Sequence, residues 1–124
     1  MEQNVLTQDM LVTDGLTAQT MGSGTLPVLA TPALVAFLEN TVMKLVHDLP
    51  DGTTTVGTSM NLRHLRASAV GETIRCRAEL TQHEGRKYTF ALQATNEAGD
   101  IVGEGTHERF AVDVERFMGK LKQR

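Results

Sequence analysis

The sequence predicts an α+β domain, a curled antiparallel β-sheet wrapped around one long central α-helix, with a short helix at the C-terminus. Three observations predict it. Residues 31–49, TPALVAFLENTVMKLVHDL, open with helix-start residues and are apolar around most of a helical circumference. Residues 53–112 read as extended segments separated by glycine-containing turns, and one more extended segment, residues 5–12, precedes the helix. At 124 residues with 40% hydrophobic content, the chain suffices for one domain, residues 1–124, and one core.

Each element has its own reason. Residues 5–12, VLTQDMLV, carry enough β-branched and apolar side chains for a first strand. Residues 13–24 are rich in Thr, Gly and Ser and read as a loop, placed to act as a lid beside the helix start. Thr31 can cap the helix with its hydroxyl, and Pro32 fits the first helical position, where no N–H is needed. The helix runs to about His47, which then lies near the negative end of the helix dipole, and Pro50-Asp51-Gly52 turns the chain.

Residues 53–66, TTTVGTSMNLRHLR, form a strand with Gly57 inside it, a mark of a bulge or of close approach to the backbone. In residues 73–83, Ile74, Cys76, Ala78 and Leu80 alternate with Arg75, Arg77, Glu79 and Thr81, the pattern of a half-buried strand. A hairpin turn at Glu84-Gly85-Arg86 leads to a return strand over 88–94, and 96–100 turn again. The last strand covers 101–112 with kinks at Gly103 and Gly105, and residues 114–121 close as a short helix with Phe117, Met118 and Leu121 at helical spacing. Successive hairpins make a meander whose apolar face the helix covers. A helix apolar nearly all round needs more cover than one small sheet supplies, so a second subunit is expected.

Composition narrows the function. A formal net charge of -3, one Tyr and no Trp offer neither a basic surface for phosphate backbones nor platforms for bases, so nucleic acid is not an expected partner. Cys76 is the single cysteine, which rules out an intrachain disulfide, suits a reducing cytoplasmic compartment and reads as a small core filler. The start MEQNVLTQDM lacks the basic and apolar runs of a leader, and no segment approaches the roughly 20 apolar residues of a membrane span. The histidines and the cysteine do not fall at ligand spacing and no phosphate loop is present, so neither metal nor redox cofactor is expected.

The residue that asks for an explanation is Glu39. It lies in the apolar helix with no charged neighbour before Lys44, and a buried, unpaired carboxylate is costly enough to need a partner or a task. Clamped by an arginine and closed off from any cavity, it would be structural. Thr31 taken alone is a cap, and His64 taken alone is a surface or satisfied core residue. His107 reads as structural, at the edge of a bulged last strand beside ion pairs involving Glu108 and Arg109.

Together these residues form a pattern. Val28-Leu29-Ala30-Thr31-Pro32, Leu38-Glu39 with the Thr and Glu eight positions apart, Val56-Gly57-Thr58 with His64 seven positions after the glycine, and Gly105-Thr106-His107-Glu108-Arg109 followed by Val114-Glu115-Arg116-Phe117 make the sequence similar to hotdog-fold thioesterases. Within them it resembles the fluoroacetyl-CoA thioesterase-like family, from about residue 28 to the C-terminus. The resemblance implies that Thr31, Glu39 and His64 are the catalytic group and that the Gly57 backbone N–H stabilises the oxyanion. It implies hydrolysis of an acyl-CoA thioester, with CoA part of the substrate, by a homodimer whose pairing into tetramers the sequence leaves open. Arg63, Arg66, Arg75, Arg77, Arg86 and Lys87 either meet the CoA phosphates or are ordinary solvated charges. The rival reading is a non-catalytic acyl-CoA binding or sensing module; a third is another hotdog enzyme such as a hydratase.

Two expectations go beyond the resemblance. Eight helical residues separate Thr31 from Glu39 by roughly 12 Å along the axis, so each site is expected to be completed across a dimer interface, with Thr31 or the Gly57 and His64 strand of one subunit meeting Glu39 of the other. The resemblance also implies aromatic lid residues before the helix, whereas residues 21–29, MGSGTLPVL, have none, which predicts a less selective pocket for a short or medium acyl group.

Overall fold

The computed structural model describes residues 4–123. The first strand, β1 (Val5–Leu11), is followed by a 3-10 turn at Asp14–Leu16 and a short helix α1 (Ala18–Met21), then the long helix α2 (Thr31–Leu45), strands β2 (Thr53–His64), β3 (Thr73–Glu84), β4 (Lys87–Thr95) and β5 (Ile101–Asp113), and helix α3 (Val114–Lys122). The amino-terminal reading falls partly on residues 1–3, outside the described residues. The segment expected as loop is therefore partly helical. Thr17 caps α1 by accepting from the Thr20 N–H, and Gly22, with φ of 78°, ends it in the left-handed conformation that glycine adopts without strain.

All five strands form one antiparallel sheet in the order β1-β3-β4-β5-β2. Strands β3, β4 and β5 are the expected meander. Strand β2 departs from it, since it pairs with β5 at the far edge and not with its sequence neighbour β3. The connection after His64 crosses the end of the sheet, where the Leu65 and Arg66 N–H groups both donate to the Val102 carbonyl. The register of β2 shifts between Gly57 and Ser59, the bulge its interior glycine predicts. A Cβ on Gly105 would run into the Asn61 carbonyl, so the approach of β5 to β2 there requires glycine.

Helix α2 crosses one face of the sheet, and Ala33, Leu34, Leu38, Thr41, Val42 and Leu45 point into the core. Ile74, Cys76 and Ala78 of β3, with Phe90, Leu92 and Ala94 of β4, face them at the strand period of two. Each fully buried leucine contributes roughly 1.5–3 kcal/mol, so this helix-to-sheet layer carries much of the stability. Gln8 ties β1 to the helix by donating to Asn40 Oδ1 and Thr41 Oγ1, at 3.0 and 2.7 Å. The helix is not enclosed on every side: Ala36 is exposed and Met43 is 48% exposed. The last helix, α3, is capped by Asp113 and leaves Phe117, Met118 and Leu121 exposed. Among the described residues no helix is long and apolar enough to cross a membrane.

Candidate active site

Thr31 does not cap α2. The cap position is Ala30, which makes no side-chain bond, and Thr31 already has its place in the first turn. A residue there cannot turn its hydroxyl back onto the following N–H groups as a cap does. Its Oγ1 lies instead 2.8 Å from Nδ1 of His64, at the end of β2. The two residues line a cleft of about 260 Å3 with Ala18, Ser23, Leu29 and Arg66. Burial pushes the His64 pKa below the ordinary imidazole range, and its Nε2 is buried without a hydrogen-bond partner.

Glu39 meets a different set of groups. Its Oε2 is 3.4 Å from Arg109 Nη1 and 3.8 Å from His107 Nε2. Gly57 lies against the same oxygen: a Cβ built there would stand 2.8 Å from Oε2, 3.2 Å from Arg109 Nη1 and 3.3 Å from His107 Cε1. The carboxylate occupies the space a side chain would fill. Glu39 is thus not unpaired, as the sequence suggested, yet its side chain is 39% exposed and so not closed off from solvent. Its described contacts all fall on Oε2. Gly57→Ala is expected to displace the carboxylate and lower kcat by roughly 100-fold, with an unchanged circular dichroism spectrum as the check on folding.

His107 is not at a sheet edge. Strand β5 lies between β4 and β2, and His107 pairs with Phe90 on one side and Met60 on the other, 1% exposed. Arg109 is the member of this cluster that the sequence reading left out of the candidate group. Two residues after His107 on the same strand, it shares a sheet face with it, and an apolar helix with a single carboxylate needs a cation opposite, which together pointed to it. Glu108 between them faces the other way and pairs with Lys87 at 3.4 Å.

The structure therefore brings Thr31 to His64 and Glu39 to Gly57, and keeps the two pairs apart within one chain. Gly57 and His64, seven residues apart on β2, are separated by roughly 23 Å of strand. Gly57 sits on Glu39 of its own chain, which corrects the expectation that Gly57 and His64 of one subunit together meet Glu39 of the other. Among the basic residues, Arg66, Arg75, Arg77 and Lys87 are engaged with Asp100, Asp9, Glu79 and Glu108 in exposed ion pairs of small energetic value. Cys76 is buried in the core with its thiol pushed up to about 12, which leaves no thiolate to attack at neutral pH. Helix α2 ends at Leu45, so His47 lies just beyond it and not in its last turn, with Nδ1 3.0 Å from the Leu45 carbonyl.

Burial depresses the pKa of His64 and of His107 below the unfolded imidazole value. Both rings are neutral in the fold, and the unfolded chain takes up protons first as pH falls. Their contribution to stability is complete above about pH 6.5 and is lost as pH falls toward the folded values. Thermal unfolding is expected to show a lower Tm at pH 5 than at pH 7.5, with a smaller difference in His64→Gln.

The architecture has close counterparts. A hot-dog-like protein from Thermanaerovibrio acidaminovorans superposes with a TM-score of 0.89 over 97% of this chain and 89% of its own, at 20% identity, which identifies the hotdog fold. A solved fluoroacetyl-CoA thioesterase superposes with a TM-score of 0.92 and 27% identity over 100% of this chain and 97% of that one. The fluoroacetyl-CoA thioesterase of Streptantibioticus cattleyicolor is 33% identical over 98 residues, 78% of this chain and 70% of that protein. The family described as fluoroacetyl-CoA-specific thioesterase matches residues 12–115, and the chain belongs to that family of thioester hydrolases.

Proposed function

We propose that the protein hydrolyses acyl-CoA thioesters with a short or medium acyl group, at a site that two subunits complete, and that Glu39 is the general base. The observation that carries this reading is the half-held carboxylate: Arg109 engages Oε2, the side chain is 39% exposed, and none of its described contacts falls on Oε1. Glu39 takes a proton from water as its oxygen bonds to the thioester carbon. The Gly57 N–H donates to the oxyanion that forms, and collapse breaks the C–S bond. The proton that Glu39 took from water leaves with the CoA sulfur as the thiol, and the neutral His64 imidazole, its ring fixed by the Thr31 hydroxyl 2.8 Å away, orients the thioester.

The outer edge of β2 supports completion by a second subunit. Among the described residues β2 pairs only with β5, and its 12-residue edge carries no proline and one formal charge, Arg63. Such an edge accepts another strand readily. Antiparallel pairing of two β2 strands about a two-fold between Met60 and Asn61 would set Gly57 opposite His64 of the partner subunit.

The lid segment holds Met21 and Leu26 where the resemblance implies aromatic closure. A thiol-release assay over acetyl-CoA, fluoroacetyl-CoA and longer acyl-CoAs is expected to show kcat/KM values for fluoroacetyl and acetyl groups within about 100-fold, since small differences in pocket contact are worth only ~1–3 kcal/mol. A large preference for fluoroacetyl-CoA would refute the broad pocket, and no thiol release from any member would refute the substrate class.

A further inference from the structure

The hydrogen-bond directions around His107 can be assigned from chemistry. Its Nδ1 lies 2.7 Å from the Ser59 carbonyl, and a carbonyl only accepts, so Nδ1 carries the proton. The ring is 1% exposed, and burial lowers its pKa, so Nε2 holds a lone pair. Arg109 Nη1 lies 3.2 Å from Nε2, and a guanidinium only donates, so the bond runs from Arg109 to His107. The 3.8 Å approach of Nε2 to Glu39 Oε2 is then no ion pair; two acceptors face each other there, and among the described residues the cation that holds Glu39 is Arg109.

Arg109 is fixed without Glu39. Its Nε donates to Thr55 Oγ1 and its Nη2 to the Thr55 carbonyl, both at 2.9 Å, while His107 takes Nη1. The guanidinium plane is pinned at two ends, and what remains of Nη1 points at Oε2, 3.4 Å away. Removing the His107 acceptor leaves the guanidinium held only at its Thr55 end, about which the whole plane can tilt, so that Nη1 is no longer fixed against Oε2. Resting on the reading of Glu39 as base, we propose that His107 is a positioning residue: as the neutral Nδ1–H imidazole it anchors Arg109 so that Oε2 of Glu39 is held and Oε1 is left to activate water.

The test compares His107→Phe, which keeps ring volume but can neither accept nor donate, with His107→Gln, whose side-chain carbonyl can accept from Arg109. Expected are a kcat for His107→Phe lowered by roughly 100-fold with KM within about twofold, and recovery to within about tenfold in His107→Gln. Nitrogen-15 NMR of the wild-type protein, independent of any variant's folding, is expected to show protonated Nδ1 and unprotonated Nε2 for His107 at pH 7. An Nε2–H tautomer, an imidazolium, or equal kcat losses in both variants would overturn the proposal. Wild-type kcat in His107→Phe together with an inactive Glu39→Gln overturns it alone; full activity in Glu39→Gln overturns the reading beneath it as well.

Discussion

Glu39→Gln is expected to reduce kcat for acyl-CoA hydrolysis by roughly a thousandfold, the scale of a well-placed general base. The substitution preserves side-chain size and leaves an amide oxygen to accept from Arg109, so the packing around Gly57 survives while the proton acceptor is lost. KM is expected to change little, because a general base meets the attacking water and not the CoA moiety. The measurement is thiol release at saturating substrate, with Tm and elution volume as controls for fold and assembly. An enzyme that keeps more than a tenth of its kcat would show Glu39 to be a structural partner of Arg109.

Mixing two inactive variants is expected to restore activity. Within one chain Thr31 bonds His64 and Glu39 bonds Arg109, with no contact between the pairs. If a site takes its imidazole from one subunit and its carboxylate from the other, a heterodimer of Glu39→Gln and His64→Ala chains holds one intact site and one doubly impaired site. Random reassortment of equal amounts in a two-fold dimer recovers about a quarter of wild-type activity, by counting. Each variant alone is expected to stay near background. Activity that remains at background in the mixture, with heterodimers demonstrated by mass, would place all catalytic groups within a single chain.

The alternation from Ile74 to Leu80 and the helix over residues 31–45 were legible because both are local. Strand and helix periods are written into successive residues, and the core they predicted is the core observed. The hairpin at Gly85, with φ of 59°, and the bulge at Gly57 were legible because glycine marks backbone that other residues avoid. The transfer of β2 to the far edge was not, since it depends on pairing with β5, some fifty residues away, and nothing in β2 itself specifies a partner.

The candidate site divides along the same line. By itself the sequence determined which side chains were available: a carboxylate in an apolar helix, a threonine at its start, a glycine within a strand and a histidine seven residues on. Only the tertiary structure decided their use. A one-residue difference in where α2 begins freed the Thr31 hydroxyl from capping and gave it to His64, and the place of β5 between β4 and β2 brought His107 and Arg109 to Glu39. Side-chain chemistry is fixed by residue identity, whereas which donor meets which acceptor depends on distances between segments remote in the chain, and only folding sets those.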